Sequence, residues 1–353
     1  TFHSIATMFD TLPVENAGKP TRFARRIAPL DFTYAFEGRD VAASGFAARS
    51  FTNALLIVKD GRIVHEQYYN GTDERTHFLS MSVAKSITSN LVGMAIADGA
   101  IASVDDPVVK YVPALAGSGY EGVSIRQALM MRSGVDWNER YDFGKESPMQ
   151  RLHDDAIVLN RIRFTDPAAR LKRSHPPGET FNYSTVETGV LGLVVAGAMG
   201  KPLPQYMAER WWKRAGMESA GFWLADGEPG VGRAVNGMGF NAVLRDYGRI
   251  GQMMLDGGRA NGRQLLPAAW VKEATTAVAE PTPQRPTLGY QYQWWTVVGT
   301  SAYMAVGLQG QRIFVDPETR TVVVKLSYFP PGEQRAEDET DAFLRAASKW
   351  NPR

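Results

Sequence analysis

The sequence has no cysteine, only five histidines, no surplus of charge of either sign and no long apolar run. Each shortage removes a class of function. Without cysteine there is no disulfide, no thiol nucleophile and no thiolate metal site, although the compartment stays open, because cysteine-free chains occur on both sides of a bacterial inner membrane. His3, His65, His77, His153 and His175 contain no i,i+4 pair. Neither a histidine-built zinc site nor a Ser-His-Asp triad is legible, and no metal or cofactor is expected. The formal net charge is +2, and the only basic cluster is the small one of Arg22, Arg25 and Arg26, so no nucleic-acid partner is expected. Nothing approaches the ~20 apolar residues of a membrane-spanning helix, and no membrane partner is expected either. The chain opens Thr1-Phe2-His3 without an initiator methionine. A processed leader and a trimmed chain would look alike here, which leaves periplasm and cytoplasm both open.

What is present is 353 residues with apolar content for a sizeable core and length enough for two domains. Residues 1–52 are rich in Pro, Gly, Ala and Arg with weak periodicity, and read as an extended arm. Two β-rich runs, 54–58 and 63–69, flank Asp60-Gly61 and predict a hairpin. Ile87, Leu91, Met94 and Ala95 recur at helical spacing and stop at Asp98-Gly99, which predicts a buried helix opening near Ser82. Residues 106–235 lose strand alternation and read as a helical domain, with helices over 124–132 and 186–198 separated by Gly- and Pro-containing loops. A third region predicts a helix over 245–255, strands over 290–298, 301–306, 313–315 and 321–326, and a helix over 340–350. The simplest assembly is an α+β fold. Residues 53–105 and 236–353 would form one antiparallel sheet flanked by helices, with the helical domain inserted as a second lobe and a cleft between them.

The helix opening carries the chemistry. Ser82 and Lys85, three apart, share one helix face, so an amine can reach a hydroxyl. A serine hydroxyl needs a partner to take its proton, and a desolvated lysine can be that partner. The unpaired N–H groups at a helix start favour developing negative charge. Alone, Ser-x-x-Lys is also an ordinary helix opening with a solvated lysine. Residues 136–143 mix aromatics and charges without periodicity, as either a substrate-facing loop or a plain surface loop would.

Ser82-Val83-Ala84-Lys85 after a hairpin, Tyr183-Ser184-Thr185 about a hundred residues later, and Gly307 at the end of a late strand together resemble the three motifs of the penicillin-recognising serine hydrolases. Their order resembles class C β-lactamases and their esterase relatives. Tyr111-Val112-Pro113, Gln293-Trp294-Trp295 and Gly307-Leu308-Gln309-Gly310-Gln311 are similar to the 6-aminohexanoate-dimer hydrolases, the nylon-oligomer amidases of that superfamily. The resemblance implies a β-lactamase-like fold and a metal-free serine hydrolase that cleaves linear amides or carboxylic esters through an acyl-enzyme. Ser82 would be the nucleophile, with Lys85 and Tyr183 sharing the proton and a tyrosinate acting as base. The N–H groups of Ser82 and Leu308 would form the oxyanion hole. Tyr141, Trp137, Gly307 and Gln309 would meet the substrate. A small amide or ester is the expected partner, with a homodimer left open.

Two departures bear on substrate. Thr185 stands where the β-lactamase pattern Tyr-x-Asn has an amide, and the late strand offers no cation before Gly307. A β-lactam carboxylate would lack its usual partner there, so an uncharged or differently charged substrate is expected. The rival readings are a β-lactamase or D-amino-acid peptidase, and a non-catalytic protein that only captures acyl ligands.

Overall fold

The computed structural model describes residues 4–352 apart from 17–18, 141–146, 279–280, 284 and 331. Eight strands build the main sheet: β1 (Ala24–Arg25), β2 (Thr52–Lys59), β3 (Arg62–Tyr68), β4 (Leu288–Gln291), β5 (Trp294–Val297), β6 (Tyr303–Gly307), β7 (Gln311–Asp316) and β8 (Thr321–Ser327). Their spatial order is β4-β5-β6-β7-β8-β2-β3-β1. All neighbours are antiparallel except β1, which adds parallel to β3. The seam between the two distant parts of the chain is β8 against β2, with Val323 opposite Ile57.

Both faces of this sheet are covered, so its central strands are apolar throughout. Leu56, Val58, Ile313, Val315, Val322 and Val324 enter one core, while Leu55, Ile57, Phe314 and Val323 enter the other, following the two-residue period of a strand. Helix α1 (Val83–Ala97), helix α2 (Thr185–Met199) and helix α3 (Leu244–Leu255) lie on the first side, and helix α4 (Gln334–Lys349) lies on the second. Close approach of α3 depends on glycine: a Cβ at Gly251 would stand 2.5 Å from Val322 Cγ1.

The Asp60-Gly61 hairpin, the Ser82 helix ending at Asp98, and the late meander all form where the sequence patterns put them. Three expectations need correction. Order begins well before Asn53. Thr33–Phe36 and Arg39–Ala42 form a hairpin through Glu37-Gly38, both at positive φ, and Tyr34, Phe36 and Phe46 are buried against α4. Phe46 stacks on Phe343 with centroids 3.8 Å apart, and the Tyr34 hydroxyl donates to Glu339 at 2.6 Å. The arm is therefore part of the second core. Within the stretch expected to be helical, Gly221–Leu224 is a strand of a second, four-stranded sheet that also contains Thr11–Val14. The run 290–298 is two strands, β4 and β5, joined by a buried turn at Tyr292-Gln293, both at positive φ.

Candidate active site

Two helix starts converge on the site. Ser82 is the N-cap of α1, and the residue before it, Met81, has φ +45°. That conformation costs a non-glycine residue roughly 1–3 kcal/mol. Ser184 is the N-cap of α2 and accepts from Glu187 N, so Tyr183 lies just outside that helix and Thr185 is its first residue.

Lys85 joins the two starts. It is buried, and its Nζ lies 3.0 Å from Ser82 Oγ, 2.9 Å from Thr185 Oγ1 and 2.9 Å from the Gly237 carbonyl. Three acceptors suit the three protons of an ammonium. They suit a neutral amine equally well: its two hydrogens go to Thr185 and Gly237, and its lone pair is left facing the Ser82 hydroxyl. Burial pulls the Lys85 pKa down to about 8, with the Glu139 charge working in the other direction. The amine is thus within reach of deprotonation near neutral pH.

The Tyr183 hydroxyl is hydrogen-bonded to Ser82, and burial pushes its pKa above that of an ordinary phenol. The Lys85 nitrogen does not meet the phenol oxygen; it lies beneath the ring, 4.9 Å from its centroid. Burial thus works in opposite directions on the two groups, favouring the neutral phenol of Tyr183 and the neutral amine of Lys85.

Ser82, Trp137, Tyr183, Gly307 and Leu308 line one cleft of about 630 Å³. Gly307 fits β6 against the Ser80–Ser82 turn, because a Cβ there would stand 2.5 Å from the Ser80 carbonyl oxygen and 3.0 Å from Met81 Cβ. Ser82 and Leu308 both border this cleft. On the far side of Ser82 lies a second chamber of about 360 Å³, with Phe9, Met81, Met149, Ile157 and Leu308 among its walls. Gln309 lines this chamber and not the cleft; it has φ +59°, and its carbonyl accepts from Ser327 Oγ at 2.6 Å. Tyr141 falls outside the described residues.

Two cleft residues were not singled out in the sequence. Glu139 accepts from Thr185 N at 2.8 Å, from Thr185 Oγ1 and from Trp137 Nε1 at 2.7 Å. Thr185 thus replaces an amide by linking Lys85 to a carboxylate at a helix N-terminus, where negative charge is favoured. The mixed loop 136–143 was the available signal, but its periodicity did not say which residue turns inward. Arg285 also lines the cleft. The late strand lacks a cation, yet the cleft does not, because this one arrives from the loop before β4.

A buried Ser-Lys pair at a helix start, a tyrosine just before the neighbouring helix and a glycine-ended strand over an α+β sheet define a serine hydrolase of the β-lactamase kind, and the chain belongs to the Beta-lactamase family, whose profile matches residues 41–347. The 6-aminohexanoate-dimer hydrolase of Paenarthrobacter ureafaciens is 31% identical over 298 residues, covering 80% of this chain and 74% of that protein. Among solved structures, a provisionally named 6-aminohexanoate-dimer hydrolase from Bacillus anthracis superposes with a TM-score of 0.86 at 22% identity, over 99% of this chain and 93% of the other. A family VIII carboxylesterase superposes with a TM-score of 0.64 at 17% identity, over 85% and 95%. The chain is thus a β-lactamase-fold hydrolase related to 6-aminohexanoate-dimer hydrolase.

Proposed function

We propose that the protein hydrolyses linear amides or carboxylic esters through an acyl-enzyme on Ser82. The observation that carries this reading is the Lys85 nitrogen 3.0 Å from Ser82 Oγ, buried, with its other two partners occupying the hydrogens of a neutral amine.

In acylation Lys85 takes the Ser82 proton as Oγ attacks the carbonyl carbon, and the N–H groups of Ser82 and Leu308 receive the oxyanion. Tyr183 gives its proton to the departing nitrogen or oxygen, and the new Lys85 ammonium stabilises the phenolate. In deacylation the Tyr183 phenolate takes a proton from water, the hydroxide attacks the acyl carbon, and Lys85 returns its proton to Ser82 Oγ. Every proton is back in place after one cycle. The apolar chamber beside Ser82 and Leu308 suits the acyl chain, since it borders the attacked carbon and lies away from Tyr183.

Turnover of a p-nitrophenyl acyl ester, combined with fluorophosphonate labelling located by mass spectrometry, tests this reading. Multiple turnovers and an adduct on Ser82 are expected. An adduct elsewhere, or undiminished turnover after Ser82→Ala, defeats it.

A further inference from the structure

The peptide that joins Gly307 to Leu308 supplies the second oxyanion N–H of the mechanism above, and its oxygen is held by a buried cation. Arg312, on β7, has no exposed surface. Its Nη1 donates to the Gly307 carbonyl at 3.2 Å and to the Gln311 carbonyl at 3.0 Å, while Nη2 donates to the Glu337 carboxylate on α4. Burial works against the Glu337 charge, yet the charges of Arg312, Arg285 and Lys325 hold its carboxyl below the ordinary range. Arg312 lines neither the cleft nor the apolar chamber, both of which Leu308 borders. The next two carbonyls are taken as well. Gln311 Nε2 donates to those of Leu308 and Gln309 at 3.2 Å each, and Ser327 Oγ donates to that of Gln309 at 2.6 Å.

A planar trans peptide points its oxygen and its hydrogen in opposite directions. Holding the Gly307 oxygen toward Arg312 therefore turns the Leu308 hydrogen away from it. Such a hold matters because the local chain is permissive: Gly307 has no Cβ, and Gln309 and Gly310 follow at φ +59° and +82°. Rotation of the peptide plane in a turn of that kind would carry the Leu308 N–H away from the oxyanion. A cation on the oxygen also polarises the peptide and makes its hydrogen a stronger donor. An uncharged amide would supply the orientation without the polarisation. Resting on the acyl-enzyme reading above, we propose that Arg312 is a positioning residue for the tetrahedral intermediate: gripping the Gly307 oxygen from the α4 side of the sheet, it fixes and polarises the Leu308 N–H that receives the oxyanion.

The test compares kcat/KM for p-nitrophenyl octanoate and its thiono analogue, in which sulfur, a poor acceptor, replaces the carbonyl oxygen. Both esters share the nucleophile, the proton relay and the leaving group, and their ratio does not depend on what fraction of a preparation is folded. The wild-type protein should favour the oxo ester. Arg312→Met should lower the oxo rate by about 10–100-fold, mainly through kcat, and the thiono rate far less, so that the oxo-to-thiono ratio falls roughly tenfold or more. Arg312→Lys, which keeps a charged donor, should retain part of the ratio. Removing Arg312 alone strands the buried Glu337 carboxylate, so the matched pair Arg312→Met/Glu337→Gln is measured beside it and should show the same fall. Glu337→Gln alone leaves the Gly307 bond and should leave the ratio near the wild-type value. A ratio unchanged in Arg312→Met or in the matched pair, or oxo and thiono rates that fall together, overturns the proposal. One measurement needs no variant. Gly-Leu occurs twice in the chain, at Gly192-Leu193 and Gly307-Leu308, so glycine labelled at the carbonyl carbon and leucine labelled at nitrogen give two amide signals in a carbonyl-filtered spectrum. Octylboronic acid, whose Ser82 adduct mimics the tetrahedral intermediate, should move the Leu308 signal downfield and leave that of Leu193 in place; a Leu308 signal that stays still also overturns the proposal. If the oxo ester is not turned over and the boronic acid does not bind, the acyl-enzyme reading fails and the Arg312 role with it. If both occur and the ratio does not move, only the Arg312 role fails.

Discussion

Two buried lysine–serine pairs occur among the described residues, and of these the Ser82 pair opens on a cleft. Lys85 meets Ser82 Oγ at 3.0 Å, a carbonyl at 2.9 Å and the face of Tyr183. Lys325 meets Ser327 Oγ at 2.7 Å, the Ser50 carbonyl at 3.2 Å and the faces of Phe46 and Phe329. Burial lowers both amines, Lys85 to about 8 and Lys325 to about 7. By amine chemistry alone Lys325 would serve as a base as readily as Lys85. The difference lies in the serine. Ser327 spends its hydroxyl proton on the Gln309 carbonyl at the end of a strand pairing, whereas Ser82 caps a helix, follows a left-handed residue and lines the cleft. On the proposed mechanism a desolvated lysine beside a hydroxyl is therefore not enough for catalysis; access, a helix terminus and a place for the oxyanion complete it.

The sharpest way to break this comparison is to remove each hydroxyl in turn. Ser82→Ala should lower kcat on a p-nitrophenyl ester by roughly 10⁴-fold or more. Ser327→Ala should cost about 1–3 kcal/mol of stability, seen in urea unfolding, because it leaves the Gln309 carbonyl and the Lys325 amine short of a partner. Its effect on kcat should stay below about tenfold, since Ser327 reaches the site only through the Gln309 backbone. Equal activity losses would erase the distinction.

Next in size are the amines. Lys85→Met should lower kcat by about 10³-fold, at the middle of the range for a lost general base. The wild-type rate should rise with pH through about 8, as the Lys85 amine deprotonates. Both amines have folded pKa values below that of free lysine. Between the folded values and ~10.4 the unfolded chain therefore binds more protons, and both pairs make stability rise with pH across that window and fall as pH drops toward neutral. Lys85→Met and Lys325→Met should each flatten the stability profile, but only Lys85→Met should abolish the rise in rate. Parallel melts and initial rates from pH 6 to 10 read both.

Glycines divide the same way. Gly307→Ala drives a methyl into the Ser80 carbonyl and should displace Leu308 from the oxyanion position, lowering kcat by about 10²-fold. Gly310→Ala, at φ +82° with its Cβ 2.4 Å from Ser327 Oγ, should lower stability first. Smallest is Glu139→Gln, expected to lower kcat about tenfold: the carboxylate touches Thr185 and only biases Lys85. It should also lower the midpoint of the pH–rate rise, because the Glu139 charge raises the Lys85 pKa.

Much of this was legible in the chain, and the reasons separate cleanly. The Ser82 helix, the Asp60-Gly61 hairpin and the late meander follow from local periodicity and turn chemistry, which a single sequence carries. Ser82 and Lys85 meet along one helix face, so their contact is local as well. What stayed hidden depends on contacts between distant segments. The turn at Tyr292-Gln293 lacks the Asn-Gly signal of a two-residue hairpin. Its left-handed backbone is held by Gln293, whose side chain donates to the Ala128 and Leu129 carbonyls and accepts from Thr188, while its own carbonyl accepts from Ser86. The Glu37-Gly38 hairpin was likewise masked by a weak turn signal. Glu139 and Arg285 sit on loops with no period, and only the fold shows that one reaches Thr185 and the other faces Tyr183.

The most direct single measurement is the rate of fluorophosphonate inactivation from pH 6 to 10, with the adduct located by mass spectrometry. The expected result is one adduct, on Ser82, forming at a rate that climbs through about pH 8 and loses that climb in Lys85→Met. An adduct on any other residue, Ser327 included, or a Ser82 rate that ignores both pH and Lys85, would contradict the claim that a buried neutral lysine activates this serine.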